Sequence, residues 1–252
     1  LIFLSTYAAA QLNAGSKSMH ILFGLDYRLG AIIGGIIVLL YCFSGGIRAS
    51  IWTDVAQSLV MIVAMFLMVF FGIKDLGGFL NVIDKLHRVS PDYMKWFPST
   101  DFSNFFLAPF LFVAGWFFSG VGVIGQPHVM VRFMTINNTK NIPKTRIYYY
   151  TWYMLFYSLT ILAAFIARLL IPEIDNIDPE LALPTLALTL LPEFFVGIVL
   201  AGIFAATMST ADSQILACTA SVTNDILSKK NNYLINKLVT LIVTVFVVII
   251  AI

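Results

Sequence analysis

Long apolar stretches set the rhythm of this chain. Nineteen residues without Asp, Glu, Lys or Arg separate Arg28 from Arg48, nineteen more separate Asp54 from Lys74, and twenty-one separate Arg146 from Arg168. About twenty apolar residues in a helix cross the roughly 30 Å hydrocarbon core of a bilayer, where a helix also satisfies its own backbone. The pattern predicts seven spans, near 1–23, 29–46, 51–73, 104–133, 146–171, 193–227 and 234–252. Two connections predict helices too short to span: "NVIDKLHRVSPDYMKWFP", amphipathic and ended by Pro91, and "DPELALPTLALTLLP", with Pro184 near its start. The fold class expected is an all-α polytopic membrane protein, with no soluble domain and no sequence-level repeat. Both ends, Leu1 and Ile252, fall inside apolar runs, so residues 1–252 are expected to be a fragment cut within membrane helices.

Charge orients the spans. One set of connections holds Arg48, then Arg132, Lys140, Lys144 and Arg146, then Lys229 and Lys230. The alternate set holds Asp26 with Arg28, a mixed run from Lys74 to Asp101, and the acidic run Glu173, Asp175, Asp178 and Glu180. Basic connections stay on the cytoplasmic side, so the first span is expected to run outward. Composition agrees: 60% of residues are hydrophobic and 11% charged, about half the charge of a soluble domain. A net charge of +2 gives no reason to expect a nucleic-acid partner. Cys42 and Cys218 lie in apolar runs at a spacing that suggests neither a metal site nor a disulfide framework. A multi-pass plasma-membrane protein with the lipid bilayer as partner is expected; oligomeric state is not legible.

Three polar features interrupt the apolar sequence. In "FAATMSTADSQILACTASVTND" (Phe204 to Asp225), Ser209, Asp212 and Ser213 fall at i, i+3 and i+4, on one helix face, with Ala206 and Thr210 along its edge. Hydroxyls in membrane helices often bond only the carbonyl one turn back or join helices. A carboxylate at that depth costs several kcal/mol, on the order of 3 or more, unless paired or coordinating, so Asp212 is a functional candidate. Hydroxyl, carbonyl and carboxylate oxygens together form a hard-ligand set suited to Na⁺. A second such carboxylate is Asp54, in "GGIRASIWTDVAQSLVMIVAMF"; it reads equally as an acid near a helix start. Third, "GWFFSGVGVIGQPHVMVRF" (Gly115 to Phe133) places Gly120, Gly122, Gly125 and Pro127 where they weaken a helix. Broken backbone at membrane depth lines a cavity or packs on protein. Gly122 and Gly125 are expected at the break in strained or left-handed backbone. Gly30 is expected in intact helix that would tolerate a larger side chain. His128 beside Arg132 reads as interfacial.

These stretches together resemble the sodium/solute symporter family, and within it the proline group. "GGIRASIWTDVAQ" is similar to the family's "GG…WTD..Q", "GQPHVMVRFM" to "GQPH…RFM", "MSTADSQIL…TNDI" to the sodium-binding segment of the eighth core helix, and "DPELALP" to the loop before it. The resemblance runs along the whole chain in family order. It implies an inverted-repeat, five-plus-five bundle of ten core helices, of which this chain would hold the third through ninth, the outermost two in part; the first, second and tenth would fall outside it.

The resemblance further implies that the Ala206 carbonyl and the Ser209 and Thr210 hydroxyls bind sodium. A possible second sodium site falls on Asp54, Ser209, Asp212 and Ser213; two carboxylates would over-neutralise one cation, so one of them could carry a proton. Tyr7 in "FLSTYAAA" matches a substrate-facing tyrosine. Ser119, Gly122, Val123 and Gln126 fall at the substrate-lining break, Ser119 and Val123 replacing aromatic residues of the proline group. The function implied is Na⁺-coupled symport, by alternating access, of a small organic solute, most readily proline or a similar amino acid. It implies no enzymatic activity and no cofactor beyond Na⁺ as coupling ion. The alternatives are a symporter of a carboxylate, sugar or vitamin, or a transporter-like module of a membrane sensor.

Overall fold

The computed structural model describes all residues except 91–92, 96, 98–106, 172–173 and 228–231, and for residue 175 the backbone alone. Among the described residues there is no strand; the α-helices are α1 (Ile2–Phe23), α2 (Tyr27–Asp75), α3 (Phe79–His87), α4 (Leu107–Ile124), α5 (Pro127–Met134), α6 (Ile142–Leu170), α7 (Ala182–Leu190), α8 (Glu193–Ala220) and α9 (Tyr233–Ala251). Pro91, Asp101, Glu173, Lys229 and Lys230, used above to bound or orient the spans, lie outside the described residues. Among the described residues, five helical stretches are long and apolar enough to cross a membrane: α2, α4, Thr139–Leu170, Glu193–Ile226 and α9. α1 has comparable length, but Gln11, Asn13, Ser16 and Lys17 make it less apolar.

The chain forms two compact units, Leu1–Asp75 with Trp152–Ile252, and Leu76–Thr151. The core of the first is shared by α1, α2, α8 and α9: Ala8 and Leu12 meet Val38, Met208, Ala211, Ile215, Val243 and Val247. Lipid tails are as apolar as these side chains, so close backbone approach and hydrogen bonds do the joining. A Cβ on Gly202 of α8 would lie 2.5 Å from the Ala64 Cβ of α2. Asn13 Nδ2 donates to the Ala251 carbonyl at 3.2 Å, and Thr219 Oγ1 to Thr240 Oγ1 at 3.3 Å.

Gly30 departs from expectation. A Cβ there would stand 2.8 Å from the Ser16 Cβ and 2.9 Å from its Cα. Glycine is what lets α2 touch α1 at that point, so a larger residue collides with backbone.

The spans expected at 29–46 and 51–73 are two helices, the two halves of α2, that meet at a kink at Gly46, where φ is 54° and ψ is −144°. Only glycine enters that region at little cost, and the turn expected near Arg48 contracts to this residue. The expected amphipathic helix begins earlier, at Phe79, and buries Val82 and Leu86. Before α8, the 3₁₀ turns Ile174–Asn176 and Pro179–Leu181 lead into α7, with Pro184 in its first turn as expected. Past Ala220, α8 widens into one π-type turn, Ser221–Ile226, which the sequence pattern did not signal.

In the second unit, α4 has no buried residue among those described, and its Trp116, Phe117 and Phe118 are all exposed. The expected break in the 104–133 span is real and sits at Gly125–Gln126. Gln126 is extended (φ −79°, ψ 121°) and Pro127 opens α5. The position before a proline disfavours helical backbone, and Pro itself suits a first helical turn. Gly122 lies inside α4, and neither it nor Gly125 has positive φ. The break is therefore made by the Gln126–Pro127 pair, and strained glycine backbone plays no part.

Candidate functional site

The middle of α8 gathers oxygen. Ser209 Oγ donates to the Ala206 carbonyl at 3.1 Å, and Thr210 Oγ1 donates to the same carbonyl at 3.2 Å. All three residues are partly exposed within the structure. The back-bonding itself is ordinary for hydroxyls in membrane helices. It has a chemical consequence: each hydroxyl spends its only proton on the carbonyl, so the free face of its oxygen presents lone pairs alone. The two hydroxyl oxygens thus present lone pairs of the kind a hard cation takes, while the Ala206 carbonyl is engaged by both of their protons.

One turn further, Asp212 is fully buried. Its Oδ1 accepts from Ser213 Oγ at 3.0 Å, and that hydroxyl also reaches the Ser209 carbonyl at 2.7 Å. Asp54, on the second half of α2, has both carboxylate oxygens shut off from solvent. The Tyr41 hydroxyl lies within electrostatic reach of both the Asp54 and the Asp212 carboxylates. That hydroxyl donates to the Met208 carbonyl at 3.2 Å. The four residues expected around a second cation are thus drawn from α2 and α8 of the same unit.

The expected substrate residues are divided. Tyr7 is half-exposed on α1, in the first unit. Ser119, Gly122 and Val123 lie on α4 and Gln126 caps α5, in the second. Ser119 lines a shallow apolar groove on α4 with Leu111, Phe112, Gly115 and Trp116. Among the described residues, no group of three or more His, Cys, Asp and Glu side chains could hold a metal, and Cys42 and Cys218 are free thiols.

Three residues of the first unit escaped the sequence reading. Tyr41 looks like packing in an apolar run. Gln57 stands three residues after Asp54, on the same face, and could have been found from that spacing. Gln214 is fully buried, and neither its amide oxygen nor its nitrogen makes a hydrogen bond among the described residues.

Comparison with known proteins gives this geometry a context. The sequence model of the sodium:solute symporter family matches residues 1–252. The chain is 32% identical to a sodium/proline symporter of Haemophilus influenzae, over 89% of this chain and 45% of that protein. It is 31% identical to sodium/proline symporter 2 of Staphylococcus saprophyticus, over 89% and 43%. The chain thus spans a little under half the length of these relatives. Among solved structures it resembles a Na⁺-coupled sialic acid symporter in its substrate-bound outward-open state, with a TM-score of 0.76 at 19% identity, covering 99% of this chain and 56% of that one. That likeness speaks for the fold alone.

Proposed function

The chain belongs to the sodium:solute symporter family, and from that premise we propose that it forms the ion-binding part of a Na⁺-coupled importer of a small organic solute. The family is one of integral-membrane transporters, not enzymes. In this reading α1 is the third core helix, the two halves of α2 the fourth and fifth, α4 with α5 the sixth, and α6, α8 and α9 the seventh, eighth and ninth, with α3 and α7 as connections.

The observation that carries the reading is the oxygen cluster on α8. Ala206, Ser209 and Thr210 supply the main Na⁺ ligands, and Asp54, Asp212, Ser209 and Ser213 surround a second cation. Both groups lie where a bare charge would otherwise be costly, so the ion and these oxygens stabilise one another. Binding of Na⁺ favours the conformation that accepts solute, and the coupling is reciprocal, solute raising Na⁺ affinity by the same factor. Import then follows the inward Na⁺ gradient.

Proline is the solute we propose, supported by relatives about 30% identical that are named sodium/proline symporters. In the second unit, Ser119, Gly122, Val123 and Gln126 are the residues proposed to meet it; Tyr7, in the first unit, is proposed on the resemblance alone. Ser119 and Val123 are smaller than the aromatic residues expected there, so their stretch of α4 also leaves room for a bulkier amino acid. The test is uptake of labelled proline, larger amino acids, a sugar and a monocarboxylate into vesicles holding the full-length protein, with and without a Na⁺ gradient. Proline uptake that collapses without Na⁺ supports the proposal. Na⁺-driven uptake of the sugar or monocarboxylate alone would replace proline, and no gradient-driven uptake of any solute would remove the transport reading.

A further inference from the structure

The first turns of α6 carry charge that the surrounding chain does not answer. No Asp or Glu occurs between Asp101 and Glu173, while Lys140, Lys144 and Arg146 fall close together inside that interval. Among the described residues, ion pairs join Lys17 to Asp178 and Glu180, and Arg88 to Asp84; none involves these three cations. Every residue from 137 to 151 is exposed. The same surface also shows rings: Tyr148, Tyr149 and Tyr150 are each more than half exposed.

Local bonds fix how these groups are presented. Asn138 Oδ1 accepts the Lys140 N–H at 2.9 Å, and Thr145 Oγ1 donates to the Asn141 carbonyl at 3.0 Å. The 3₁₀ turn Thr139–Asn141 therefore runs straight into α6. One turn into the helix, Lys144 Nζ lies 5.8 Å from the centre of the Tyr148 ring, a separation at which the ring face attracts an ammonium. Tyr149 and Tyr150 follow Arg146 at the three- and four-residue spacing that puts side chains side by side on a helix.

Cations and tyrosine rings at this height suit one kind of partner. The helical stretch Thr139–Leu170 is apolar and long enough to span, so its charged beginning sits at the level of the lipid headgroups, where tyrosine is enriched. Basic connections keep to the cytoplasmic side, and the anionic lipids of that leaflet attract such clusters. A soluble polyanion could reach the charges alone. A phospholipid brings a phosphate and hydrocarbon to the same spot.

We propose that Lys140, Lys144 and Arg146, with the rings of Tyr148, Tyr149 and Tyr150, form a docking surface for an anionic phospholipid: the cations bind the headgroup phosphate and the rings pack on the glycerol and upper acyl chains. The surface lies wholly in the second unit and uses none of the α8 oxygens, so it stands or falls apart from the sodium reading. The positive-inside rule accounts for where the charges lie but predicts no preference among lipids.

The experiment offers delipidated full-length protein equal amounts of phosphatidylglycerol and phosphatidylcholine with the same acyl chains, and counts the lipids retained by native mass spectrometry. The wild type is expected to retain phosphatidylglycerol over phosphatidylcholine by about threefold or more, and less selectively as salt rises. The variant carrying Lys140→Gln, Lys144→Gln and Arg146→Gln is expected to retain both equally. Lys144→Gln alone is expected to lower the ratio, and serves if the triple variant inserts poorly. Lys85→Gln removes an exposed cation of α3 in the same unit and is expected to leave the ratio unchanged. Equal retention by the wild type, or an unchanged preference in the triple variant, overturns the inference. So does an equal loss in Lys85→Gln, which would make the effect one of net charge. Displacement of phosphatidylglycerol by inorganic phosphate at matched concentration would make the ligand a soluble anion and overturn the lipid assignment.

Discussion

At Gly30 and Gly122 the residue scale separates two glycines that look alike in sequence. Among the described residues nothing lies within 4 Å of a Cβ placed on Gly122, whereas one placed on Gly30 meets the Ser16 backbone of α1. Gly30→Leu is therefore expected to destabilise the protein by at least about 1–3 kcal/mol, as overpacking does. Gly122→Leu is expected to leave folding intact and, if the solute lies there, to remove solute binding alone. Melting temperatures of the two full-length variants in detergent check this; equal values would mean that α1 and α2 yield easily at Ser16. The hydroxyl cluster of α8 was readable because its spacing is helical and Asp212 has no ordinary reason to be at membrane depth. Tyr41 was not readable. A tyrosine in an apolar run looks like packing until the fold brings the Met208 carbonyl to its hydroxyl.

The elements follow the hydrophobic pattern closely, and miss where a single residue decides. Apolar runs locate α2, α6, α8 and α9 because each must bury or expose apolar surface along its length. Pattern could not show that Gly46 alone would separate the two halves of α2, since its φ of 54° is a backbone property. It also could not show a tie between α1 and the segment before α7. Lys17 Nζ lies 2.7 Å from Asp178 Oδ2 and 2.6 Å from Glu180 Oε2. The Lys17 ammonium, with help from the Glu180 backbone N–H, holds the Asp178 carboxyl below its ordinary value of 3.8. A depressed carboxyl stabilises the folded form above that ordinary value and loses the contribution as pH falls through its own lower one. Spin labels at the outer end of α1 and in the Pro179–Leu181 turn are expected to show a narrow distance distribution near neutral pH. The distribution should broaden as pH falls through the lowered Asp178 value. In Lys17→Met it should already be broad at neutral pH; a narrow distribution there would mean that packing, not charge, holds the turn.

For the molecule as a whole, two statements can be tested without knowing the solute. The first is orientation. The basic connection with Arg132, Lys140, Lys144 and Arg146 belongs on the cytoplasmic side and the acidic segment at Asp178 outside. Single cysteines at Lys140 and Asp178, placed in a cysteine-free full-length protein, are expected to react with an impermeant thiol reagent from opposite sides. Reaction from one side would overturn the arrangement of spans between them. The second, and the centre of this account, is that the oxygens of Ala206, Ser209 and Thr210 bind the coupling ion. The most direct measurement is the Na⁺ dependence of ²²Na⁺ binding to full-length protein carrying Ser209→Ala and Thr210→Ala. Loss of two ligands is expected to raise half-saturating Na⁺ tenfold or more, equivalent to at least about 1.4 kcal/mol. An unchanged Na⁺ dependence in correctly inserted protein would mean that these hydroxyls only bond their own helix, and would contradict the account.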